Sequence, residues 1–112
     1  MIKMKKIILI AALLGVAAGL SARAADAQGN WDHHCAMCHG KDGKGDTKIG
    51  QKMGCKDFTD AKVQADLKDA DAVKAIKEGL TSAEGKKLMK PFSDLSDSEV
   101  KDLVAYVRSF KK

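Results

Sequence analysis

Cys35 and Cys38 stand three residues apart, and His39 follows the second thiol directly. Two sulfurs at that spacing can add to the two vinyl groups on one edge of a porphyrin. The adjacent imidazole is then held beneath the metal. This Cys-x-x-Cys-His order is the attachment signature of a c-type haem, and it makes His39 the candidate proximal iron ligand. The opposite face of the iron needs its own donor or stays open. Met89 is the candidate, because a thioether is a soft ligand that favours ferrous iron and, paired with histidine, raises the reduction potential. It falls between two helical patterns, followed by Pro91, the only proline, and by Phe92, which could cover the haem edge.

Other donors compete for these roles. Met53 follows His39 closely and shares its loop, while Met37 lies between the two attachment cysteines and is held on their side of the ring. His33 and His34 precede the motif on the same predicted helix and read as surface histidines. Cys55 is a third thiol. In an exported chain a leftover cysteine pairs between molecules or stays free, and beside Gly54 and Phe58 it reads as a small apolar filler. Cys35, Cys38, His39 and Cys55 could supply four zinc ligands by count, but adjacent Cys38 and His39 fit haem attachment better than the usual zinc spacings.

The chain's first residues bear on where this chemistry would take place. Lys3, Lys5 and Lys6 precede an uncharged apolar run from Ile7 to Leu20, and Ala22-Arg23-Ala24 follows. A basic start, a short apolar core and A-x-A make a secretory signal peptide. The run is shorter than the roughly 18–20 residues of a spanning helix, which sets cleavage after Ala24 above an uncleaved membrane anchor. Ala25-Asp26-Ala27 offers a second site. Removing residues 1–24 leaves 88 of the 112 and takes four of the 20 Lys+Arg but none of the 15 Asp+Glu. The formal charge falls from +5 to +1, so the basic balance is no argument for nucleic-acid binding. Residues 25–112 are expected to form one small domain, whose modest core a covalent cofactor would staple.

The elements that must position the motif read as helices. Asp26 is placed as an N-cap, opening a helix that runs to about Met37 with Ala27 and Trp31 on one face. Residues 40–54 carry five glycines and no apolar period, which predicts a loop. A short helix is expected over Thr59–Leu67, with Val63 and Leu67 inward. Asp69 is expected to cap a helix through Glu78, with Ala72, Val73, Ile76 and Lys77 on the 3.6-residue period and Gly79 ending it. Leu80 to Leu95 reads as a second loop. Ser96-Asp97-Ser98-Glu99 is a capping box for a last helix whose stripe is Val100, Leu103, Val104, Val107 and Phe110. No stretch alternates at period two, so the expected fold class is all-α.

Taken together, these residues resemble a small monohaem class I cytochrome c of the bacterial, exported kind. The resemblance rests on Trp31 four residues before Cys35, on Cys35-Ala36-Met37-Cys38-His39-Gly40, on Met89-Lys90-Pro91-Phe92 and on Leu103-Val104-Ala105-Tyr106-Val107-Arg108. It spans essentially all of residues 25–112. It implies N- and C-terminal helices crossing near a right angle, with Ala27 and Trp31 against Leu103 and Tyr106. It also implies Cys35 and Cys38 as the haem thioethers and His39 and Met89 as axial ligands. Two departures stand out. The family usually has glycine where Ala27 sits, and it often has a loop proline whose carbonyl accepts the proximal histidine's second N–H. Residues 40–55 contain no proline, which leaves Ile49 and Gly50 as candidate acceptors.

The function expected from this reading is electron carriage by one covalent haem c in the periplasm, with no substrate chemistry. Alternatives are a dedicated haem subunit of a larger oxidoreductase and a haem-based gas-binding protein. The expected partners are redox proteins. Lys41, Lys44, Lys48, Lys52 and Lys56 lie in one ligand-bearing loop and Lys86, Lys87 and Lys90 flank Met89, so a positive rim would suit an acidic docking surface. Peripheral membrane contact, a monomeric state and no nucleic-acid partner complete the expectation.

Overall fold

The computed structural model describes residues 26–112 together with Arg23. The apolar run at residues 7–20 and the cleavage site after Ala24 lie outside the described residues. Among the described residues, no helix is long and apolar enough to cross a membrane.

Helix α1 spans residues 26–39. Asp26 is itself helical, not a cap, so the predicted start falls one or more residues late. The middle of α1 is a π-helical segment, Trp31–Cys35, where the Ala36 N–H bonds back to the Trp31 carbonyl. A π turn inserts one extra residue into the helical spiral, and such turns recur at functional sites. Here Trp31 and Cys35 are both buried while Asp32 and His33 between them are exposed. The final turn, Ala36–His39, carries the rest of the motif.

Four further helices follow. Helix α2, Lys48–Met53, forms inside the stretch predicted to be a loop. Thr47 caps it, its hydroxyl accepting from the Gly50 N–H at 2.9 Å. Helix α3 is Ala61–Asp66, capped by Asp60 through the Lys62 N–H. Its buried residue is Gln64, whereas Val63 and Leu67 are only half-buried. Helix α4, Asp69–Glu78, starts after Lys68, so Asp69 is its first residue and makes no side-chain cap. Ala72 and Ile76 are buried on it, Val73 packs against the core, and Lys77 faces solvent in an ion pair with Asp97. Gly79 ends α4 as predicted. Helix α5, Asp97–Ser109, opens with the full Ser96–Glu99 capping box and buries Val100, Leu103, Val104 and Val107.

The stretch predicted as a second loop contains a short antiparallel hairpin. Strand β1, Leu80–Thr81, pairs with β2, Lys87–Met89, so that Leu80 lies opposite Met89, with an irregularity between the two residue pairs. The strands are too short to show a period-two pattern in sequence. The fold remains mostly helical.

One core holds these elements together. Trp31 and Cys35 from α1, Ala72 and Ile76 from α4, and Val100, Leu103, Val104 and Val107 from α5 form a single buried cluster. Trp31 meets Tyr106 at 5.8 Å and Phe110 at 5.1 Å between ring centroids, joining the first helix to the last. Ala27 is buried too. Arg108 clamps the far side of α5. Its guanidinium reaches the Gln64 and Leu67 carbonyls, the Gln64 side-chain oxygen and Asp69.

Candidate haem site

The motif residues are assembled by the end of α1 and the turn after it. The Trp31 indole donates to the Gly40 carbonyl at 2.9 Å, tying a buried ring to the residue after His39. The chain then reverses on itself. Gly45 N–H bonds the His39 carbonyl at 2.8 Å, and the Thr47 hydroxyl donates to the Cys38 carbonyl at 2.8 Å. These bonds satisfy two carbonyls that a helix C-terminus otherwise leaves without donors. Gly50 belongs to this close fit. A Cβ there would collide with the Cys38 carbonyl oxygen, which is why α2 carries a glycine at a cost in helix propensity.

Cys35 is buried and Cys38 is half-buried, and both are free thiols, as is Cys55. Burial, with Cys38 nearby, pushes the Cys35 thiol up to about 11. It is therefore protonated at neutral pH, and its nucleophilic thiolate is scarce. Burial also raises the Cys55 thiol, with a further contribution from Cys38, so the third cysteine lies within electrostatic range of the motif. Among the described residues no three His, Cys, Asp or Glu side chains are arranged to hold a metal ion, and the four-ligand zinc arrangement is not formed.

His39 sits in an aromatic enclosure. Its ring stacks on Phe58 at 5.3 Å and 27°, and Trp31 lies 5.5 Å away, tilted by 37°. Burial pushes its pKa down, favouring the neutral imidazole that can bind a metal. Its Nδ1 is buried with no hydrogen-bond partner. Neutral imidazole and two unpaired thiols on one helix end are the donor set that a covalent haem requires. Neither Ile49 nor Gly50 is the partner of Nδ1. Ile49 lies in α2, and the Gly50 carbonyl already receives the Cys55 and Gly54 N–H groups.

The methionines separate by environment. Met89 is half-buried and packs against the core cluster that contains Trp31 and Cys35. Met37 is 73% exposed. Met53 is half-buried at the end of α2 but is not packed against that core. The loop after Met89 reaches α1 where Phe92 meets His34 edge-on at 5.5 Å. His34 and Phe92 line a small cavity with Lys90, Pro91, Asp94 and Leu95. A larger surface groove between α4 and α5 involves none of the motif residues.

The model of the cytochrome c family matches residues 24–111. The chain belongs to the cytochrome c family. Membership implies a covalently bound haem c, a role in carrying electrons rather than in catalysis, and redox proteins as partners. Among solved structures, the KustC0563 c-type cytochrome is 38% identical, with a TM-score of 0.63 over 76% of this chain and 96% of that one. A point mutant of the same protein is also 38% identical, with a TM-score of 0.62 over 77% of this chain and 99% of its own. No curated protein matches the chain. Within this cytochrome, sequence reasoning missed Thr47 and Gln64. A Thr-x-x-Gly cap inside a glycine-rich stretch was the available signal for the first; nothing local marks the second as buried.

Proposed function

We propose that this cytochrome is an exported, monohaem electron carrier. Residues 1–24 act as a removable signal peptide, and residues 25–112 form the haem domain in the periplasm. Cys35 and Cys38 would hold the haem through thioethers, and His39 and Met89 would bind its iron. When bound, the haem supplies reversible exchange between Fe(III) and Fe(II). The observation that carries the reading is the motif itself at the end of α1, with a half-buried imidazole whose buried Nδ1 has no hydrogen-bond partner and whose pKa burial pushes down.

The chain's own residues then have distinct tasks. Trp31 and the turn from Gly40 to Thr47 fix the helix end that presents His39. The β1–β2 hairpin and the core behind it support Met89. Lys41, Lys44, Lys48, Lys52 and Lys56, with Lys86, Lys87 and Lys90, are all exposed. Among the described residues the ion pairs use none of these lysines. They offer a positive rim to an acidic redox partner, speeding encounter at low salt.

An optical spectrum of the purified holoprotein tests the ligation. A weak charge-transfer band toward the red, lost in Met89→Ala, is expected. Rapid carbon monoxide binding by the unaltered ferrous protein would instead show an open position. Electron transfer to an acidic partner is expected to slow as ionic strength rises, and a salt-independent rate would remove the steering role.

A further inference from the structure

His33 and His34 stand on α1 directly before Cys35. His33 is exposed and His34 half-buried, and their rings meet edge-on at 4.6 Å. His34 also meets the ring of Phe92 at 5.5 Å, and the Lys90 ammonium lies 5.4 Å from the centre of that ring. A cavity of about 140 Å³ opens between them, with Asp94 on its wall. Two stretches far apart in sequence, one leading into the motif and one leaving Met89, thus form one continuous surface. Its charges are mixed. Glu99, from the first turn of α5, is held against α1 by the Asn30 amide at 3.3 Å and lies within electrostatic reach of His34. Asp94 and Lys90 come from the loop. Asp32, the neighbouring charge on α1, is exposed and acts on Tyr106 of α5. Among the described residues the ion pairs take up none of these groups. Neutral imidazoles leave Lys90 outnumbered by the carboxylates. Protonation of both imidazoles removes that negative surplus, and histidine ordinarily changes charge between pH 5 and 8.

We propose that the His33–His34 pair makes this seam an acid-activated part of the docking face: an acidic redox protein is repelled there at alkaline pH and admitted as the imidazoles take up protons. Lysine stays charged across the same range, so the lysine rim supplies a constant attraction and the histidine pair a variable one. Charge complementarity of this kind acts mainly on the rate of encounter and on the choice of partner. The inference rests on haem attachment at Cys35. The seam then borders the attached edge of the ring, where the path for an electron to a docked partner is short.

The test uses the holoprotein at low ionic strength, with two readouts: affinity for a hexaglutamate peptide, and the rate at which hexacyanoferrate(II) passes one electron to the ferric haem. Between pH 8 and pH 5.5 both are expected to rise by about threefold or more in the unaltered protein. Reduction by the hexaammineruthenium(II) cation is expected to slow over the same range. Exchanging both imidazoles together, His33→Gln with His34→Gln, is expected to flatten all three profiles. His33 is exposed, so His33→Gln alone is expected to keep the fold and lose part of the rise, and it decides should the double variant lose its haem. The same rise in the variants as in the unaltered protein would overturn the proposal. So would acid-dependent cosedimentation with phosphatidylglycerol vesicles that is lost in the double variant while the peptide and hexacyanoferrate profiles stay, which would assign the seam to a lipid surface. Absence of covalent haem from the unaltered protein would overturn the reading of the site, and the peptide profile alone would then decide the histidine pair.

Discussion

On the His39 side, hydrogen bonds run from the end of α1 into the chain that follows: Trp31 to Gly40, Gly45 to His39, Thr47 to Cys38, Phe58 to Gly43. On the Met89 side, the support is a two-stranded hairpin with an irregular register, one bond from the Phe92 N–H to the Ile76 carbonyl, and packing of half-buried side chains. Met89 itself is carried by a strand of three residues. The first arrangement fixes a proposed ligand by directional bonds. The second holds one by apolar contact, which is non-directional and tolerates displacement. The difference implies that the methionine yields before the histidine when the protein is stressed, because locally weak segments open first.

Exchanging each proposed ligand is the largest intervention. In His39→Ala the low-spin haem spectrum is expected to be lost. Met89→Ala is expected to keep the covalent haem, bind carbon monoxide and fall in potential by roughly 0.1 V or more, within the ~0.8 V range that axial ligands command. Equal loss of haem in the two variants would erase the contrast between the two sides.

Next in size is Trp31→Ala. It removes a buried ring together with its bond to Gly40, and a loss of about 3–5 kcal/mol in urea unfolding is expected, as for other buried aromatic truncations. A smaller pair sharpens the comparison. Thr47→Val removes both the α2 cap and the bond to Cys38 and is expected to cost about 1–2 kcal/mol. Leu80→Ser, at an exposed position of the hairpin, is expected to stay within about 0.5 kcal/mol. If the hairpin change costs as much as the cap, the Met89 side is better anchored than its bonds indicate.

The smallest effect belongs to the α5 capping box. The Ser96 backbone N–H, with Asn30 and the Ser96 hydroxyl, holds the Glu99 carboxyl below its ordinary value of 4.5. A carboxyl depressed on folding stabilises fully above its unfolded value and loses that contribution as pH falls through its folded one. The small deficit of Glu99→Gln in urea midpoint is therefore expected at neutral pH and to close on acidification.

How far the sequence disclosed this molecule depended on the range of the forces involved. The motif, the capping box at Ser96 and the stripe of α5 are local patterns, and the fold preserves each. Helix α2 was hidden because Gly50 argues against a helix locally, while the reason for it, contact with the Cys38 carbonyl, is tertiary. The π turn left no mark, since the spacing of Trp31 and Cys35 fits an ordinary helix equally well. Asp69 resembles a cap in composition, yet its carboxylate is used by Arg108 from the last helix. Gln64 reads as a surface residue and is 5% exposed.

That glutamine imposes an order of events on the molecule. Its amide nitrogen donates to the Phe58 carbonyl at 2.7 Å and the Val107 carbonyl at 2.8 Å, and Arg108 grips its oxygen. The wall against which His39 rests is thus tied to residues near the end of the chain. A polypeptide still emerging at its C-terminus would present both thiols but only a loosely walled imidazole. The last turn of α5 has to arrive before the first functional motif is finished.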